Sequence, residues 1–119
     1  MPEFTSAFSG LDCPRKLTLK ELVRSVRFMI AAEYEAVQLY EQLAESTDNQ
    51  LARKVLLDIA DEEKQHVGEF RRLLSILAPQ DEMLYCAGMQ ETDDLVASVR
   101  DRFGGEQQDP PCADGGCAK

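Results

Sequence analysis

Positive charge is in short supply in this 119-residue chain: 13 Lys and Arg stand against 22 Asp and Glu, a formal net charge of −9. That balance leaves no electrostatic footprint for nucleic acid and none for an anionic membrane surface. It suits the attraction of cations, although many helical proteins are equally acidic. No apolar run approaches the roughly 20 residues that cross a bilayer. Met1 to Leu11 holds no basic region followed by an apolar stretch, so the expectation is a cytoplasmic protein with no membrane span. The four cysteines, Cys13, Cys86, Cys112 and Cys117, include no Cys-x-x-Cys pair. In a reducing compartment they are expected as thiols, not as a disulfide framework. The single histidine, His66, has a better place than a Cys/His zinc site, as its helix shows.

What the chain does have is helical periodicity. Residues 17–46 contain neither Gly nor Pro. Thr18 followed by Glu21 forms a capping box that opens a first helix, expected to run to about Ser46. Thr47 with Gln50 reads as a second capping box, with Asp48 adding favourable charge at a helix N-terminus. The second helix then runs to about Ala78, where Pro79 ends it. The short turn makes the two helices antiparallel neighbours. A weaker helical stretch follows over about 80–103, and Gly88 is expected to break it into two pieces. Residues 1–16 read as an irregular arm, with Phe4, Phe8 and Leu11 available to anchor it. Residues 104–119, rich in Gly, Pro, Gln and Asp, read as a flexible tail. The expected fold is all-α: a helical domain over 17–103, built from a two-helix hairpin and a shorter C-terminal helix. Hydrophobic residues make up 44% of the chain, enough for a core. A hairpin alone still leaves part of its apolar surface uncovered, and self-association is the usual remedy.

Three residues break that apolar surface. Val26, Ile30, Glu33, Val37, Tyr40 and Ala44 form one stripe on the first helix. Ala52, Leu56, Ile59, Glu63, His66, Phe70, Leu73 and Leu77 form the stripe on the second. Both are apolar except at Glu33, Glu63 and His66, where an ionised carboxylate is costly unless a cation or partner compensates it. Glu33 lies fourteen residues before Thr47 and Glu63 sixteen after it. At a rise of about 1.5 Å per residue they stand at one height on the hairpin. His66 lies one turn beyond Glu63 on the same face. Carboxylate-bridged di-iron bundles use a Glu from each of two helices and a Glu-x-x-His pair from each of two others. This chain carries one Glu helix and one Glu-x-x-His helix, with no internal repeat, so the other half must come from a second copy.

Taken singly, a Glu-x-x-His on a helix is ordinarily solvent-facing, and a buried His is ordinarily satisfied by hydrogen bonds. The coincidence of three metal-competent groups in face and height favours a metal centre. Asp61, Glu62 and Lys64 point elsewhere and read as a solvated charged edge. Glu35 is two residues from Glu33 and cannot share its face; it is either a surface carboxylate or part of an approach for ions. Tyr34 and Tyr40 read as core or interface aromatics, Tyr40 within reach of a supporting hydrogen bond. The Cys112/Cys117 spacing is a weak signal for metal or redox chemistry.

The segments Ile30-Ala-Ala-Glu33-Tyr-Glu35-Ala-Val-Gln-Leu-Tyr40 and Asp61-Glu-Glu63-Lys-Gln-His66 resemble the two motifs of the encapsulated ferritin family, half-length members of the ferritin-like superfamily. The resemblance covers about Leu17 to Leu77. It implies a dimer whose interface creates a four-helix bundle, associating further into a ring of ten chains. It also implies ferroxidase activity, the oxidation of Fe(II) to Fe(III) by dioxygen or peroxide at a di-iron centre shared by two subunits. In this resemblance Glu33, Glu63 and His66 fall on the iron ligands, and Glu35 on an acidic position implicated in iron access. Ala32 stands where some members have a further acidic residue. The tail from Cys112 to Lys119 does not look like the peptide that often loads cargo into an encapsulin shell, so a shell partner and iron storage follow from the family alone.

Two rivals remain. One is a rubrerythrin-like di-metal oxidase or peroxidase in oxidative-stress defence, although the chain has no rubredoxin-type cysteine pairs. The other is a non-catalytic helical adaptor whose stripe carboxylates pair with Arg or Lys across a dimer. Arg27, Arg53, Lys54 and Lys64 fall off the stripe faces, which counts against it.

Overall fold

A computed structural model describes residues 15–103. They form three helices and no strand: α1 (Leu19–Glu45), α2 (Gln50–Leu77) and α3 (Pro79–Phe103). The chain is all-α, as its periodicity requires. Apart from Arg15 and Lys16, the arm and tail read from the sequence lie outside the described residues. Those residues divide into two compact units, the hairpin up to Leu77 and the segment from Ala78 onward.

The start of α1 is the expected capping box. Thr18 Oγ1 accepts from the Glu21 backbone N–H at 3.2 Å, and Glu21 Oε1 accepts from the Thr18 N–H at 3.3 Å. Two of the helix's otherwise unpaired donors are thereby satisfied. The Arg15 guanidinium forks onto the same carboxylate at 2.9 and 3.1 Å. With the Thr18 bonds, it holds the Glu21 carboxyl down to about 2.

The start of α2 differs from expectation. Its cap is Asn49, whose Oδ1 accepts from the Ala52 N–H at 2.9 Å. Thr47 Oγ1 instead accepts from the Asn49 N–H at 3.2 Å, inside the turn. Asn is as good an N-cap as Thr, and it stands directly before the first helical residue. The Thr47 hydroxyl is left to stabilise the turn.

Pro79 acts in both directions: it ends α2 and opens α3. Its missing N–H is harmless in a first helical turn, and its fixed φ suits that position. Gly88 does not break α3, which runs unbroken to Phe103. A glycine inside a helix costs about 1 kcal/mol but removes no hydrogen bond. Asp81 and Glu82 in the first turn of α3, with Arg100 and Arg102 in its last, complement the helix dipole. Cys86, on α3, is disulfide-bonded, against the expectation of thiols. Bridging requires only that two Cα atoms come within about 7 Å, which sequence spacing does not reveal. Cys13, Cys112 and Cys117 lie outside the described residues. Among those residues no helix is long and apolar enough to cross a membrane.

Within the hairpin, Val23, Val26, Val37 and Ala44 of α1 are buried, as are Ala60, Val67 and Leu74 of α2. The α2 residues recur every seven positions, the heptad period of a packed helix–helix seam. The expected α2 stripe therefore sits beside this seam and not on it. Ile59, Glu63 and Phe70 are half-buried, whereas Leu73 is exposed. Ala44 and Ala60 are each only 1% exposed, small residues that let the two backbones approach.

Candidate metal centre

Glu33 reaches the site from the middle of α1, Glu63 and His66 from successive turns of α2. Because the helices are antiparallel and the turn is short, the three side chains converge. One potential ligand atom from each lies within 4.8 Å of the others, and this is the one such group among the described residues. His66 Nδ1 stands 3.3 Å from Glu63 Oε2 and 3.7 Å from Glu33 Oε2. The carboxylates are largely covered, with side chains 19% and 18% exposed, whereas His66 is 48% exposed. All three predicted ligands are thus brought together. His66 occupies the open flank of the hairpin and not its core.

The electrostatics belong to a crowded anionic site. A hydrogen bond between the two carboxyls holds Glu33 above the usual carboxylate range, with burial adding to the effect. The same bond, with His66, holds Glu63 below it. The two shifts are of opposite sign because two close carboxylates resist ionising together. His66 is raised above the ordinary imidazole value by its bond to Glu63, and by the charges of Glu33 and Glu69. Two carboxylates and an imidazole nitrogen at this spacing are a donor set that fits iron, and manganese and zinc as well.

Glu35 is half-buried on α1 and is not one of the three converging groups. Lys64 turns away from the site. Its Nζ lies 2.8 Å from Glu41 Oε1 across the hairpin and 3.1 Å from Asp61 Oδ1 on its own helix. The Lys64–Asp61 contact is the charged edge expected from the sequence. Glu41 was not legible there, because a cross-hairpin partner several turns away has no spacing signature. Within the chain Lys64 is engaged by Glu41 and Asp61, and Glu33 and Glu63 face each other and His66.

Comparison with known proteins bears on the same residues. The Rubrerythrin family model matches residues 26–93, a span that includes all three candidate ligands. The chain is 44% identical over 79 residues to the ferritin-like-encapsulin shell fusion protein of Pyrococcus furiosus, covering 66% of this chain and 23% of that protein. It is 41% identical over 80 residues to the encapsulin nanocompartment cargo protein EncC of Myxococcus xanthus, covering 67% of this chain and 60% of that one. It therefore spans less than two thirds of either relative. Its fold is similar to the crystal structure of the encapsulated ferritin domain from Pyrococcus furiosus. That match has a TM-score of 0.67 and 34% identity, over 90% of this chain and 100% of the other.

Proposed function

This chain belongs to the encapsulated ferritins, within the reach of the rubrerythrin family model, and we propose on that premise that it is a ferroxidase working at a di-iron centre shared by two copies. The observation that carries the reading is the convergence of Glu33, Glu63 and His66 within 4.8 Å. They form one half of the donor inventory of a carboxylate-bridged di-iron bundle. A two-fold axis beside His66 would set a second Glu33, Glu63 and His66 against the first, because such an interface repeats every contact. The exposed flank carrying His66 and Leu73 is the surface such a copy would cover.

Iron held there would supply the one-electron redox chemistry that passes electrons from Fe(II) to dioxygen or peroxide. The chain's own part is to bind and orient. Glu63 and Glu33 would hold the cations as carboxylates and offset their charge, while His66 would present Nδ1 toward the same point. Glu35, half-buried two residues from Glu33, serves iron access. Higher association into a ring, and residence inside an encapsulin shell in the cytoplasm, complete the proposal. The shell is supported by the relatives' names, one a shell fusion and one a cargo protein. It would supply the enclosure that storage needs.

The test is Fe(II) oxidation followed by absorbance, with circular dichroism as the control for folding. His66→Ala, which removes both imidazoles from a two-chain centre without adding charge, is expected to abolish or strongly slow oxidation. A wild-type rate in well-folded His66→Ala protein would end the ferroxidase reading. The rubrerythrin match supports a second reading, a di-metal peroxidase. It predicts faster turnover with a reducing partner and peroxide than with Fe(II) alone.

A further inference from the structure

The site demands that Glu33 and Glu63 stay level. The buried residues nearest it are small or β-branched, Val26, Val37, Ala44, Ala60 and Val67, with the larger Leu74 two turns beyond His66, and small side chains interlock less deeply along a seam than large ones. The Glu33–Glu63 contact is itself a level rung between antiparallel helices. When two parallel rods slide, the length of a level rung changes only to second order. A diagonal tie changes length to first order and resists the slide.

Such a diagonal is present. Lys64 follows Glu63 directly, whereas Glu41 lies eight residues beyond Glu33, a rise of about 12 Å along α1. Lys64 nevertheless reaches Glu41 Oε1 at 2.8 Å, its stem running toward the hairpin turn past Asp61 at 3.1 Å. Helical side chains lean toward the N-terminus of their own helix. In this hairpin, that lean brings Lys64 and Glu41 toward each other.

We propose that Lys64 and Glu41 are positioning residues, a diagonal ion pair that sets the register of the two helices and keeps Glu33 level with Glu63 and His66. The assignment rests on reading those three residues as metal ligands. Asp61, on the same helix as Lys64, steers the lysine but spans nothing. The pair is partly exposed, so it trims the register and does not hold the hairpin together.

Simple electrostatics and the brace predict opposite signs. Deleting a lysine charge near a cation site should strengthen cation binding, whereas loss of the brace should weaken it. The experiment is Co(II) titration of the full chain, read by the visible absorbance of the bound ion, with thermal unfolding recorded in parallel. Lys64→Met is expected to weaken Co(II) binding by about three- to fivefold, the most that one partly exposed ion pair can carry. Glu41→Gln is expected to do the same. Lys64→Arg, which keeps charge and reach, and Asp61→Asn should both stay within about twofold of wild type. Unchanged or tighter binding in Lys64→Met would overturn the brace, and so would an Asp61→Asn loss as large as that of Glu41→Gln. If Lys64→Met does not fold, Glu41→Gln against Asp61→Asn decides by the same criterion. Failure of the wild-type chain to bind Co(II) would count against the metal centre itself, and is thereby distinguished from failure of the brace.

Discussion

His66 Nδ1 lies 3.3 Å from Glu63 Oε2, one helical turn away on α2, with Glu33 Oε2 of the opposite helix at 3.7 Å from the same nitrogen. The imidazole is therefore aimed at the carboxylates by groups that would share a cation with it. In the metal-free chain the ring gains its stabilisation as a cation, and as a ligand it must be neutral. On the proposed reading of these residues as ligands, metal and proton would compete for one place.

That competition fixes a pH dependence. His66 is raised above 6.5, first by its bond to Glu63. In the metal-free protein the pair thus contributes stability below about pH 6.5, which fades as pH rises through the raised value. Metal binding by these residues would have the opposite slope, because it requires neutral His66 and ionised Glu33 and Glu63. Co(II) affinity is expected to climb between about pH 6 and pH 8, with proton release measured by calorimetry in buffers of different ionisation enthalpy. His66→Ala should flatten most of that climb. A pH-independent affinity across this range would show that these groups do not hold the metal.

Much of the hairpin was legible because local rules and periodicity agreed. Thr18 and Glu21 fixed one end of α1, Pro79 the end of α2, and counting outward from the turn put Glu33 level with Glu63. What was not legible depended on choices among equivalent local partners or on distant ones. Asn49 displaced Thr47 as the cap because Thr47, Asp48 and Asn49 are three good capping residues in succession. The α2 seam fell on Ala60, Val67 and Leu74, not on the neighbouring stripe, because both are apolar and sequence does not say which one meets α1. Gly88 was tolerated within α3 because a single glycine weakens a helix without removing a bond. The disulfide at Cys86 and the Lys64–Glu41 pair are tertiary relations, which no spacing rule encodes.

Helix separation offers a way to uncouple site from stability. Ala60, 1% exposed and one turn before Glu63, leaves no room for a larger side chain. Ala60→Leu is expected to cost about 1–3 kcal/mol by overpacking and to weaken Co(II) binding, since it pushes α1 and α2 apart beside the ligands. Leu74→Ala, eight residues beyond His66, should cost about 2–5 kcal/mol through the cavity it leaves. It should spare the affinity of the folded fraction. Chemical denaturation measures the first quantity and Co(II) titration the second. Equal affinity losses in the two variants would mean that the site tracks global stability and not local spacing.

A centre completed by a second copy couples metal uptake to association. Each chain supplies only one Glu33 and one Glu63–His66 pair, so metal bound by both copies stabilises the assembled state by mass action. Sedimentation of the metal-free chain with added Co(II) is expected to shift toward a dimer or larger ring, and His66→Ala should not shift. Leu73, 41% exposed on the flank that carries His66, gives an independent handle. A Leu73→Glu side chain stays solvated in the lone hairpin but is buried unpaired in the assembly, at a cost of roughly several kcal/mol per chain. It should therefore raise the concentration needed for association by about tenfold or more, while leaving helical content unchanged. Stoichiometric, tight metal uptake by chains that remain monomeric would defeat the shared centre. It would do so even if Fe(II) oxidation persisted, because a half-set of ligands would then be sufficient.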